Sequence, residues 1–146
     1  MTITSPSFQE NSFIPKKFTC QGENINPELR FGAVPEEAKS MALIMHDPDA
    51  PMAGGFTHWV IWNIAPLTTA IKEKSAPPGA SEGKNGAGKT GYIGPCPPSG
   101  THRYFFKLYA LDAVLSMPAD TDKNSLEAEI NRHLLAEAEL IGLYQR

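Results

Sequence analysis

The sequence predicts a single, mostly β domain, and three observations carry that prediction. First, 12 of the 146 residues are Gly and 13 are Pro. Helix interiors tolerate neither, because Gly costs backbone entropy and Pro removes a donor and clashes with the preceding turn. Second, up to Asp112 the chain breaks into short apolar or alternating segments punctuated by these residues, the pattern of strands and turns. Third, only one stretch, from Asn124 onward, carries a helical period. Gly and Pro together still fall short of a low-complexity composition. A hydrophobic content of 41% is enough for one sizeable core, so one domain over residues 1–146 is expected.

The elements follow in order. Phe13 to Thr19 and Leu29 to Val34 are short strand candidates bounded by Pro15, Pro27 and Pro35. Ser40 to His46 (SMALIMH) is apolar on both parities, as in a strand buried on two faces. Thr57 to Ile64 (THWVIWNI) is rich in β-branched and aromatic residues. His102 to Leu111 (HRYFFKLYAL) is the longest strand candidate. Its even positions, from His102 and Tyr104 to Ala110, lie on one face, and Arg103, Phe105 and Lys107 make the other face only partly covered. A helix follows, capped by Asn124 with Glu127 reaching back. Leu126, Ile130, Leu134 and Ala138 form its stripe, and His133 falls on that face. Gly142 ends it, leaving Leu140 to Tyr144 as a last short strand or docked tail.

Residues 65–100 hold seven of the 12 glycines and six of the 13 prolines. Loops that long are usually functional or disordered. Residues 72–91 read as slack, whereas YIGPCPPSG, stiffened by three prolines, reads as an ordered loop that shapes a site.

Charge and composition exclude several functions. Thirteen Lys and Arg against 16 Asp and Glu give −3, with no basic stripe of the kind that nucleic-acid binding needs. The longest apolar runs, MALIM and WVIWNI, are far too short to span a bilayer. The first residues, MTITSPSFQENSF, lack the basic and apolar regions of a signal peptide. Two cysteines, Cys20 and Cys96, do not make a disulfide scaffold. The expected location is therefore cytoplasmic and reducing, with Cys96 as an exposed thiol.

Chemistry concentrates in three places. DPDAP (Asp47 to Pro51) follows a buried strand and sets two carboxylates in a proline-fixed turn. His58, in GGFTHWV, and His102, in GTHRYFF, each enter a strand from a Gly-containing loop. A His–His–Asp set can bind a divalent metal, run acid–base chemistry or hold an anion between imidazole and loop N–H groups. Spacing leaves all three open. His46, beside Asp47, reads as structural.

Taken together, DPDAP at 47–51, FTHW at 56–59 and GPCPPSGTHRYFF at 94–106 resemble the signature of the phosphatidylethanolamine-binding protein family, which includes the Raf kinase inhibitor proteins. The match is nearest its small bacterial and archaeal branch, whose ending AELIGLYQR at 138–146 also resembles. The resemblance implies a β-sandwich-like fold around a large central antiparallel sheet with a few peripheral helices. It also implies a non-enzymatic pocket for phosphate-like or phosphoethanolamine groups, with no cofactor and no metal. Carried over residue by residue, Asp47 is the pocket carboxylate and His58 and His102 are its histidines. Gly94 and Pro95 are the loop whose backbone lines the anion, and Tyr104 is the aromatic inside the next strand. Ala50 and Pro51 form a wall in a turn with a cis bond, and Phe56 stands where eukaryotic members have Trp. Tyr144 is a candidate for a further pocket tyrosine. The resemblance also implies a kinase or protease partner and a homodimer. Two alternatives are a metal-assisted hydrolase or lyase using the His/His/Asp set, and a protease-inhibitor-like protein acting through residues 72–91.

Overall fold

A strand that is apolar on both faces needs a partner layer on each side. The computed structural model, which describes all residues Met1–Arg146, supplies both. Ser40–Asp47 (here β4) is buried along nearly its whole length at the middle of a six-stranded sheet. Its neighbours are Phe56–Ile64 (β5) and His102–Leu111 (β8), both antiparallel to it. Outside β8 lies Leu134–Tyr144 (β9), and beyond that the two-residue strand Ser12–Phe13 (β2), the one parallel neighbour. Ser81–Glu82 (β7) closes the other edge against β5. A second, three-stranded sheet is made of Thr2–Thr4 (β1), Leu29–Gly32 (β3) and Ala70–Ile71 (β6), with β3 in the middle.

The two sheets pack face to face, and the main core lies between them. Ile3, Leu29, Phe31 and Ile71 of the small sheet meet Met41, Leu43, Ile61 and Phe106 of the large one. On the opposite face, Ala42, Ile44, Val60 and Trp62 receive Leu126 and Ile130 of the helix Lys123–His133 (α1). Burying two such side chains contributes about 1.5–3 kcal/mol each. The molecule is thus small sheet, large sheet and helix in three layers, the mostly β architecture expected. No helix is long and apolar enough to cross a membrane.

Several expectations are corrected. Phe13 to Thr19 is not a strand: β2 stops at Phe13, and Pro15 opens a 3-10 turn over Lys16–Phe18. The helix is capped by Asp122, whose carboxylate accepts from Ser125 N at 2.9 Å, and not by Asn124. It ends at His133, and Leu134 to Tyr144 form one long strand. The stripe at Ile130, Leu134 and Ala138 misled because a spacing of four keeps residues on one face of a strand as well as near one face of a helix. Within β9, Ala136, Ala138, Leu140, Gly142 and Tyr144 alternate inward. His133 is a junction residue: its Nδ1 meets Asp112 Oδ1 at 2.8 Å, tying the helix end to the chain leaving β8.

Residues 72–91 are not slack. Besides β7, they form a tight loop around the buried Asn85, whose Oδ1 accepts from Ala87 N and Lys89 N while its Nδ2 donates to Gly91 O. Gly83 and Gly86 donate to the β5 carbonyls of Val60 and Thr57. Cys20 and Cys96 form a disulfide with Cα atoms 5.5 Å apart, so Cys96 is not a free thiol. Such bonds belong mainly to oxidising compartments, which removes the cysteine argument for a reducing location. Every peptide bond is trans, including those of the Asp47–Pro51 turn.

Candidate functional site

At the end of the large sheet where β4 finishes and β5 and β8 begin, a cavity of about 220 Å³ opens. It is built by strand alternation and one irregularity. Along β8, His102 and Tyr104 share the inward face, and Asp47, the last residue of β4, turns to the same side. In β5 strict alternation would put His58 and Trp59 on opposite faces. The pairing of β4 with β5 slips between Met45 and His46, which face Trp59 and Thr57 respectively, leaving His58 as the extra residue of a bulge. His58 therefore turns toward Tyr104, ring centroids 5.2 Å apart, on the same side as Trp59. Bulges that re-aim one side chain beside a site are a recurrent device.

Asp47 organises the centre. Its Oδ2 accepts from His102 Nδ1 at 2.7 Å in a nearly fully buried pair, and its Oδ1 accepts from the amide of Asp49 at 2.7 Å. Asp49 in turn holds Arg103 through both carboxylate oxygens at 2.9 Å and accepts from the Arg103 amide. The Arg103 guanidinium keeps the Asp49 carboxyl down at about 2. This clamp fixes the DPDAP turn on β8, so the two aspartates have separate duties: Asp49 anchors the turn and Asp47 faces the cavity.

His58 is held differently. Its Nδ1 lies 2.6 Å from the carbonyl oxygen of Ile93. A carbonyl only accepts, so Nδ1 carries the hydrogen. Burial lowers the pKa of this ring to about 4, leaving it neutral at ordinary pH. Phe56 stacks edge-on against it at 5.0 Å. Nε2 of His58 and Nε2 of His102 have no protein partner and open onto the cavity. The hydroxyl of Tyr104 is the one fully buried side-chain polar atom in the molecule without a hydrogen bond. Burial, then the charge and the close approach of the Asp47 carboxylate, raise its pKa, so it keeps its proton as a donor, although the contact with Asp47 falls short of hydrogen-bond geometry.

The wall comes from the Pro-rich loop. Gly94, Cys96, Pro97 and Pro98 line the cavity, and Cys20 fastens that loop through both the disulfide and its amide, which donates to Pro95 O. Gly94 is required here by a close approach: a Cβ would stand 2.4 Å from Phe18 O and 2.5 Å from Asn24 Oδ1. Eight of the nine site residues expected from the sequence (Asp47, Ala50, Pro51, Phe56, His58, Gly94, His102 and Tyr104) share this one cavity. Pro95 does not line it. The Gly94 amide, expected to face an anion, donates to Asn24 Oδ1 at 2.8 Å. Tyr144, paired with His102 across β8 and β9, gives its hydroxyl to Gln21 and stays off the cavity. Sequence reasoning missed Met52, Ile93 and Asn24. Ile93 acts through a backbone carbonyl, for which no side-chain signal exists. His46 is structural: its ring nitrogens meet Thr57 Oγ1 and Gly54 O on the opposite side of the sheet.

Residues 4–145 match the family model described as phosphatidylethanolamine-binding protein. A UPF0098 protein of Methanothermobacter thermautotrophicus is 48% identical over all of this chain and 99% of its own length. One from Chlamydia trachomatis is 43% identical with the same coverage. Among solved structures, a phosphatidylethanolamine-binding protein homologue of Chlamydia trachomatis superposes with a TM-score of 0.95 at 42% identity, covering 99% of this chain and 97% of that one. E. coli YbcL, described as a new member of the mammalian family, superposes with a TM-score of 0.94 at 29% identity, covering 99% and 98%.

Proposed function

The chain belongs to the phosphatidylethanolamine-binding protein family, and from that membership we propose that its cavity binds a small phosphate-like oxyanion, free or as a headgroup, without turning it over. The observation that carries this reading is the Tyr104 hydroxyl. An unpaired buried donor costs about 1–3 kcal/mol, and native structures keep such a group chiefly where a ligand or function claims it. Tyr104 lines the same cavity as two histidines whose Nε2 atoms have no protein partner, one of them backed by a carboxylate. That is a cluster of directional polar groups on otherwise apolar walls, the usual make-up of a small-ligand pocket.

Binding without turnover is supported by what the walls offer. No Ser, Thr or Lys lines the cavity, and its only cysteine is held in the disulfide, so no serine, threonine, lysine or cysteine nucleophile is on offer. The alternative of a catalytic metal is disfavoured by the duties of Asp47, whose two oxygens already serve His102 and the Asp49 amide. Two or three hydrogen bonds in a shallow site correspond to dissociation constants on the order of 0.1–1 mM. Calorimetry with phosphoethanolamine should show such saturable binding to the wild type. His102→Ala should lose at least about tenfold, the worth of one charge-assisted hydrogen bond. Absence of saturation in the wild type would reject the reading.

A further inference from the structure

We infer that this cavity selects oxyanions that carry a proton, phosphate monoesters in their P–O–H form, and that His58 is the residue that selects them. The inference rests on the anion-binding reading above. Its basis is the hydrogen bond from His58 Nδ1 to Ile93 O, 2.6 Å long. With the hydrogen fixed on Nδ1, Nε2 presents a lone pair to the cavity. A fully deprotonated oxygen placed against that lone pair is repelled, whereas a P–O–H group donates to it.

Protonation of His58 itself would reverse this preference, and its surroundings oppose that. Phe56 on its own strand and Tyr104 on β8 set ring edges against it, and burial holds its pKa at about 4. His46 of β4 disfavours a second charge. Asp47 of β4 pulls the other way, but its carboxylate is already bonded to His102 Nδ1 and the Asp49 amide, and burial outweighs it. No Lys or Arg lines the cavity; of the guanidinium groups bonded to residues at its rim, Arg103 holds Asp49 and Arg146 donates to the carbonyl of Pro97. The site therefore offers a donor at Tyr104 and an acceptor at His58; His102, whose Nδ1 hydrogen goes to Asp47, donates from Nε2 only as an imidazolium paired with that carboxylate, and no Lys or Arg is there to neutralise a dianion. A singly charged, singly protonated phosphate monoester matches all of this. A sulfate ester or a phosphodiester has the charge but no proton.

Methyl phosphate and methyl sulfate separate these cases, being similar in size and differing in the proton. Calorimetric titration of the wild type with each at pH 5.5 and 7.5 is the test. Methyl sulfate stays unprotonated throughout, so its pH dependence reports the protein's own groups. The second pKa of a phosphate monoester is about 6, so its protonated share falls roughly 25-fold across that interval. The affinity ratio of methyl phosphate to methyl sulfate should fall by about the same factor, and should exceed tenfold at pH 5.5. His58→Gln, whose amide can donate as well as accept, should flatten the ratio. Equal binding of the two esters at pH 5.5, or a ratio unchanged with pH, would overturn the selection while leaving an anion site. No binding of either would overturn the anion reading itself. Flotation with phosphatidylcholine vesicles, with and without phosphatidic acid, then distinguishes sources. Capture by phosphatidic acid supports a monoester at a lipid surface, and methyl phosphate binding without capture supports a soluble one.

Discussion

Tyr104 is the residue at which stability and binding pull apart. Tyr104→Phe removes a hydroxyl that is buried and unpaired, so the free protein should gain about 1 kcal/mol while affinity for phosphate falls roughly tenfold. Denaturant unfolding and calorimetry on the same variant check both signs, and a loss of stability would mean that the hydroxyl has a partner. His58 gives a second, pH-dependent outcome. The unfolded chain takes up a proton there near 6.5, the folded ring only near 4, so between those values unfolding binds a proton and stability rises with pH. Lowering pH from 6.5 to 4 should remove up to roughly 3 kcal/mol through this group. Urea midpoints measured across that range should flatten in His58→Gln. The roles of Asp47, His58 and His102 are legible from residue type and position at strand ends. Those of Ile93 O and Asn24 are not, because a backbone carbonyl and a distant amide leave no motif.

At the scale of elements, the Pro-rich wall depends on a bond that composition alone argued against. Cys20 and Cys96 are 76 residues apart, and only the fold brings the chain after the 3-10 turn against the Gly94–Pro98 loop. Closing so long a loop typically stabilises by about 2–5 kcal/mol. The double variant Cys20→Ser/Cys96→Ser should lose stability in that range. It should also weaken phosphate binding, because the wall loses its fastening. The protein isolated without reductant should show no free thiol by titration, and two free thiols in the folded protein would refute the bond's role. Strands β4, β5 and β8 are readable because their apolar and aromatic runs are long. The last third is ambiguous for a physical reason: AEAELIGLY satisfies a period of two and, through its four-residue repeats, a helical stripe. Pairing with β8 decides for strand, and Asp112 with His133 marks the break. The bulge at His58 is likewise set by tertiary pairing and has no local signal.

At the scale of the whole molecule, the antiparallel arrangement brings the end of β4 and the beginnings of β5 and β8 to one edge of the large sheet. Residues 11 and 44 positions apart along the chain thus become one cluster. Of the glycine- and proline-rich stretch, Ile93 to Pro98 supplies the cavity wall, while the Asn85 loop packs along β5, where Gly86 donates to Thr57 O. A net charge of −3 does not prevent an anion from entering, because local donors decide over a Debye length of about 8 Å at physiological salt. The central claim is that His58 and His102, and not the other two histidines, face a phosphate-like ligand. Histidine-resolved NMR of the metal-free protein, titrated with phosphate, tests it most directly. Saturable shifts of His58 and His102, with His46 and His133 unmoved, are expected, and the response should vanish in His102→Ala. Silent His58 and His102 resonances, or equal shifts at all four histidines, would contradict the account.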